Sequence, residues 1–206
     1  MSELISIVLC TYNGERFLTE QMDSLLNQTW PDLEIIVSDD CSADRTRQIL
    51  SSYGHHPHIS IYYQDINLGP IKNFEFVLSK AKGEYIAFCV VDDIWKPDKI
   101  KILHKSIGNA LLTYSDSELI DETGKSLGKC LSDLRNMYSG TETKGFVFDN
   151  VVWGHTALLS KKLLSIALPF PETVPHDIWF AYLAAANGGI KYINNILSFY
   201  RQHQGA

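Results

Sequence analysis

Two adjacent carboxylates, Asp92 and Asp93, stand where an apolar run stops. That run, Tyr85 to Val91, is rich in β-branched and aromatic residues, the composition of a strand buried on both faces. In an open α/β sheet, ligands bind outside the carboxyl ends of the strands. Two acids there can hold a hard cation such as Mg²⁺ or Mn²⁺, which favours carboxylate oxygen. The pair fits equally a plain strand-to-helix turn, with Asp93 capping a helix near Pro97. Three other apolar runs also end in polar groups: Thr11-Tyr12-Asn13, Asp39-Asp40 and Asn67. Neither a P-loop nor a G-x-G-x-x-G occurs, so a site here that handles a diphosphate needs a metal to offset its charge. His55, His56 and His58 fall between a predicted helix and strand, away from this edge, and read as a solvated loop.

Alternating elements bring these strand ends together. Strands are expected at Ile5 to Cys10, Leu33 to Ser38, Ile59 to Tyr63 and from Tyr85. Helices are expected around Leu18 to Leu26, Ala43 to Tyr53 and Phe74 to Leu78. A β-α-β-α-β-α-β order implies a mostly parallel central sheet with right-handed crossovers, flanked by helices. After Pro97 the pattern loosens. A strand is expected at Leu111 to Tyr114, a turn at Asp121 to Gly124 and a polar loop over Ser132 to Lys144. A strand over Val151 to Leu159 is broken at Trp153-Gly154-His155. A helix at Asp177 to Ala186 is closed by Asn187-Gly188-Gly189, and short strands follow at Lys191 to Ile193 and Leu197 to Tyr200. No repeat or linker divides the 206 residues. A single domain over 1–206 is expected, with a nucleotide-binding half (1–106) and a smaller acceptor-side lobe (107–206).

The net charge of -6 argues against a nucleic-acid partner, which calls for a basic face. The four cysteines are scattered without C-x-x-C spacing, and Cys10 and Cys89 sit in apolar runs as small hydrophobes, as suits a reducing compartment. With neither a signal-like start nor a membrane-length apolar stretch, a cytoplasmic protein is expected. Peripheral contact with the inner face of a membrane and pairing into a homodimer both stay open.

Four segments resemble inverting family 2 glycosyltransferases of the GT-A fold, most of all the bacterial rhamnosyltransferase-like members. They are Ser6 to Gly14, Ile36 to Asp44, Asn67-Leu68-Gly69 with Asn73, and Val91-Asp92-Asp93-Ile94-Trp95. His176-Asp177-Ile178-Trp179 and Tyr200-Arg201-Gln202-His203 match later motifs in order. The resemblance spans nearly the whole chain. It implies transfer of a sugar from a UDP- or dTDP-linked donor to a saccharide or lipid-linked saccharide acceptor in surface polysaccharide assembly.

The same resemblance implies roles for particular residues. Thr11, Tyr12, Asn13, Asn67 and Asn73 would line the nucleotide, and Asp39 would accept from the pyrimidine imide while Asp40 serves structure. Asp92, with Asp93 and His203, would hold a divalent metal that offsets charge on the leaving nucleotide. Asp177 would be the general base that takes the acceptor's proton. Trp153, His155, His176 and Trp179 would line the acceptor side. Each has a duller explanation: Asp177 fits a helix start, the aromatic residues fit core packing, and a histidine near a chain end is usually solvated.

One departure stands out. Val90-Val91 occupies the place of an acid-x pair, so the first acid of the D-x-D motif is absent. This raises a second expectation, a weakened or inactive nucleotide-sugar binder. A third, a nucleotidylyltransferase, would need a glycine-rich basic loop after the first strand, and Thr11-Tyr12-Asn13-Gly14-Glu15 is not one.

Overall fold

The computed structural model describes residues 2–147 and 150–203. In chain order, β1 is Ile5–Thr11, α1 Leu18–Leu26, β2 Leu33–Asp39, α2 Thr46–Tyr53, β3 Ile59–Tyr63, α3 Pro70–Lys80 and β4 Tyr85–Cys89. These are the expected elements, with ends moved by a few residues. After them come β5 (Ile94–Trp95), α4 (Lys99–Ile107), β6 (Leu112–Ile120), β7 (Ser126–Cys130), β8 (Ala157–Ser160), α5 (Leu164–Ala167), α6 (His176–Asn187) and β9 (Ile190–Arg201).

One sheet runs β3-β2-β1-β4-β8-β6-β9-β5, with β7 paired to the far end of β6. The first four strands are parallel. The sheet then turns mixed, because β8 lies antiparallel to both β4 and β6, while β6 and β9 run parallel. Thr11 of β1 is level with Asp39 of β2, and Asp39 with Tyr63 of β3. The polar strand ends therefore share one edge.

β1 shows why the apolar runs are continuous. Ile5, Ile7 and Leu9 enter one core with Leu18, Met22 and Leu103, while Val8 enters the other with Phe74, Phe88 and Phe180. Both faces are covered by helices, so alternation disappears from the strand sequence. Gly83 opens β4 where backbones crowd: a Cβ there would lie 2.6 Å from the Ser6 nitrogen and 2.8 Å from the Leu4 carbonyl oxygen. Only glycine fits.

The second half departs from expectation in three places. The two short strands are one strand, β9, whose pairing with β6 slips opposite Asp116, where the Asn194-Asn195 pair interrupts the apolar residues. The strand expected over Val151 to Leu159 is shortened to β8, preceded by a 3-10 turn at Gly154–Thr156. The polar stretch 132–144 is tied down by a bridge between Gly140 and Ile190.

Candidate functional site

Two hollows open side by side at the carboxyl edge of the sheet. The first, about 350 Å³, lies among Thr11, Tyr12, Asn67, Asn73, Phe74 and Val90. The second, about 320 Å³, is lined by Val90, Asp92, Asp93, Trp153, His155, His176, Asp177 and Tyr200. Val90 borders both, and it follows β4 with 38% of its surface exposed. Its neighbour Val91 turns the other way, packed so closely on Gly14 that a Cβ on that glycine would lie 2.6 Å from a Val91 methyl.

In the first hollow, Asn73 is 1% exposed and donates from Nδ2 to the Ser38 carbonyl at 3.2 Å. Its Oδ1 and the Thr11 hydroxyl are buried with no hydrogen-bond partner among the described residues. Buried polar atoms are normally paired, so orphans beside a cleft are open places for a ligand's donors. Tyr12 is half exposed, and Asn67 accepts from the Gly69 amide. At the neighbouring strand end, Asp39 is fully buried. Its Oδ2 accepts from Arg47 Nε at 2.7 Å and from the Ser42 amide at 3.1 Å, while Oδ1 has no partner among the described residues. Asp40 accepts from the amides of Leu68 and Gly69 and so clamps the loop after β3.

One expectation needs correction here. Asn13 holds a positive φ of 49°, its amide donates to Ser42 Oγ and its Oδ1 accepts from the Ala43 amide. Its side chain joins two loops and is not turned to a nucleotide. The start of α2 is served by Asp44, which accepts from the Thr46 amide.

Asp92 and His203 meet, with Asp92 Oδ2 and His203 Nε2 at 2.9 Å. Phe17 packs on the His203 ring at 5.0 Å. Asp93, expected beside Asp92 at a metal, is fully buried, and its Oδ2 has no hydrogen-bond partner among the described residues. Its Oδ1 accepts from the Arg201 amide at 3.3 Å and its Oδ2 lies 3.3 Å from His155 Nδ1. Burial and the neighbouring Asp92 charge raise its proton affinity well above the usual carboxylate range. Asp93 does not cap a helix, since α4 begins only at Lys99.

Asp177, at the first turn of α6, accepts from Asn150 Nδ2 at 3.0 Å and from the Ile178 amide at 2.8 Å. His176 beside it packs against Phe74 and Phe88, and burial lowers its basicity. His155 is 3% exposed, faces Tyr200 at 4.8 Å and is held neutral by burial; its Nε2 has no partner among the described residues. Trp179 does not join them. Its indole donates to the Ala167 carbonyl and stacks with Tyr182, so α5 and α6 use it for packing.

Two residues that matter have no role assigned from the sequence, although Arg201 stands within the Tyr200–His203 motif. Arg201 is 1% exposed and donates from Nε to the Asp92 carbonyl, from Nη1 to the carbonyls of Asp121 and Glu122, and from Nη2 to Glu20. Lys99 is fully buried, donates to the His155 carbonyl and lies 3.6 Å over the Trp95 ring. Spacing alone does not reveal either, because an arginine or lysine in sequence is by default a surface residue.

In shape the chain matches Staphylococcus aureus TarS solved in complex with UDP-GlcNAc: TM-score 0.78 and 22% identity, over 98% of this chain and 59% of that one. It also matches the mannosyltransferase PcManGT of Pyrobaculum calidifontis, solved with GDP-Man and Mn²⁺: TM-score 0.74 and 18% identity, over 95% and 56%. The fold is the α/β GT-A fold of glycosyltransferases. Residues 6–164 match the model of the family described as glycosyl transferase family 2. An uncharacterized glycosyltransferase of Rickettsia typhi is 31% identical over 195 residues, 90% of this chain and 60% of that protein. The poly(ribitol-phosphate) beta-N-acetylglucosaminyltransferase TarS is 34% identical over 99 residues, 47% of this chain and 17% of that one. The chain therefore belongs to glycosyl transferase family 2, and it spans about three fifths of the Rickettsia relative. No described helix is long and apolar enough to cross a membrane.

Proposed function

We propose that this protein is an inverting glycosyltransferase that moves a sugar from a nucleoside diphosphate donor to a saccharide acceptor, in the assembly of a cell-surface polysaccharide. The observation that carries the reading is that Asp92 and Asp177 line one hollow, and that this hollow adjoins the cleft of Thr11, Tyr12 and Asn73. A nucleoside in the cleft puts its diphosphate toward Asp92 and its sugar toward Asp177. The unpartnered Asp39 Oδ1 and Asn73 Oδ1 are buried acceptors suited to the donors of a pyrimidine. The acceptor binds against Trp153 and His176, and Asp177 takes the proton of the attacking hydroxyl. Asn150 fixes the direction of that carboxylate.

Asp92 Oδ2 and His203 Nε2 form a mixed oxygen and nitrogen pair that fits a divalent cation. Among the described residues no third acid, histidine or cysteine completes a cluster, so a bound Mg²⁺ or Mn²⁺ would draw its remaining ligands from phosphate oxygens and water. Bound there, the ion would supply Lewis-acid stabilisation of the leaving diphosphate. The test is release of nucleoside diphosphate from a panel of UDP-, dTDP- and GDP-sugars with Mn²⁺ present. Turnover that needs the ion and is lost in Asp177→Asn is the expected result; no release from any donor by the wild type counts against the reading. The exposed apolar Val90 favours a second reading, a nucleotide-sugar binder with little turnover. Binding of a nucleoside diphosphate without release of product would support it.

A further inference from the structure

We infer that the outer face of α6, together with the exposed end of α5, docks on an anionic lipid surface and brings the hollow of Asp177 to acceptors carried on a lipid. The docking surface stands on the two helices alone; the acceptor class rests on the reading of that hollow as the acceptor site. Between Asp177 and Asn187 the only polar side-chain groups of α6 are the Trp179 indole and the Tyr182 hydroxyl. Phe180, Ala181, Ala184 and Ala185 form one stripe, and all four are buried. That stripe accounts for the packing of the helix on its own core. Trp179, Tyr182, Leu183 and Ala186 recur at helical spacing on a second stripe, and none of them is fully buried. A helix that is apolar on all sides is ordinarily enclosed, so the second stripe has the composition of a covered face.

The exposed residues join into one patch. The Trp179 indole donates to the Ala167 carbonyl, and its ring stacks with Tyr182 at 6.4 Å. Ile166, next to Ala167 on α5, is 46% exposed, and Tyr182 is 37% exposed. Tryptophan and tyrosine pair an apolar body with a polar tip, which suits the boundary between hydrocarbon and water. Exposed lysines flank the patch: Lys162 in the turn before α5, and Lys191 just past the end of α6. Charge selects the occupant. Residues 151–206 hold two acids, Glu172 and Asp177, against four basic residues, in a chain whose net charge is -6. Pairing of two copies through this stripe would gather the lysines of both, with no acid on α5 or beyond Asp177 on α6 to meet them. Anionic headgroups do meet them, and an apolar helix face sinks into the headgroup boundary. Trp179 lies two residues beyond Asp177, about 3 Å along the helix axis, so a bilayer on the stripe lies beside the hollow.

Sedimentation of the full chain with vesicles tests this, using phosphatidylcholine alone and phosphatidylcholine with ~30% phosphatidylserine. Binding to the mixed vesicles about tenfold tighter than to the neutral ones, and weakening with added salt, is the expected result. Tyr182→Glu and Ile166→Glu lie on the patch and outside both hollows. Each is expected to lower vesicle binding by about tenfold or more, with the urea midpoint and the Kd for UDP close to wild type. Lys162→Gln is expected to weaken binding to the mixed vesicles by about fivefold, and it decides the matter if a glutamate variant does not fold. No binding to either vesicle, or equal binding by the wild type and the patch variants, overturns the inference. A lipid-free dimer that Tyr182→Glu dissolves also overturns it, in favour of a second copy. UDP binding is read separately: its absence overturns the donor site, while the vesicle result still decides the docking surface.

Discussion

Asp177 has both carboxylate oxygens engaged before any substrate arrives, one by Asn150 and one by the amide of Ile178. Two fixed donors hold the carboxylate in one direction, which a general base requires in order to meet an attacking hydroxyl. Asp177→Asn keeps the shape and the hydrogen bond to Ile178 but cannot accept a proton. It is expected to lower kcat by two to four orders of magnitude, in the range typical of general base catalysis, and to leave the Kd for UDP within twofold. Steady-state kinetics beside calorimetry checks this; an equal loss in UDP affinity would move Asp177 to the nucleotide side. Much of the site is legible at this scale. Asp39, Asp92 and Asp177 stand at strand or helix ends, where capping alone would also place a carboxylate, and it is their order in the motifs that points to the site. Asn13 misleads because the same residue type serves tight turns with positive φ. Asp93 misleads because adjacency in sequence says nothing of direction, and successive residues after a strand point opposite ways.

β9 is the element that the sequence conveys least well. Its Asn194-Asn195 interruption reads as a break, whereas partnership with the continuous β6 carries it through. Helix α4 was within reach, since Ile100, Leu103 and Ile107 recur at helical spacing and all are buried. β7 was not, because it is a mostly exposed edge strand without alternation. At the end of β9, Arg201 fastens the Asp92-Asp93 segment, the turn after β6 and helix α1 to one another, and its guanidinium lies 4.6 Å from the centre of the Phe17 ring. Removing a buried charged partner strands the groups it served, at a cost of about 3–5 kcal/mol. Arg201→Ala is expected to destabilise the fold by about that much and to weaken Mn²⁺-dependent UDP binding, since the Asp92 backbone loses its tether. Urea unfolding measures the first effect and calorimetry the second. Unchanged stability would mean that the turn after β6 and α1 hold Asp92 without it.

At the scale of the whole molecule, Lys99, Asp93 and His155 lie together as a buried polar cluster. Burial lowers the Lys99 pKa to about 7, against the pull of Cys89 and Asp93, while Asp93 is shifted upward. In the unfolded chain a lysine titrates near ~10.4. Between about 7 and that value, the unfolded state holds a proton that the folded state has released, so stability rises with pH across the window. Below it both states are protonated, and the cost of burying the cation is present in full. Asp93 has the opposite sign at lower pH: the folded state keeps a proton that the unfolded state has lost, and stability falls as pH rises toward its folded value. Lys99→Met removes the alkaline limb and fills the space with an apolar side chain. Urea unfolding of both proteins at neutral pH and again ~2.5 units higher is expected to show the wild type gaining about 3 kcal/mol on the variant, from ~1.4 kcal/mol for each unit of the window. Parallel behaviour of the two proteins would mean that Lys99 stays charged in the fold, paired with an ionised Asp93 beneath the acceptor hollow.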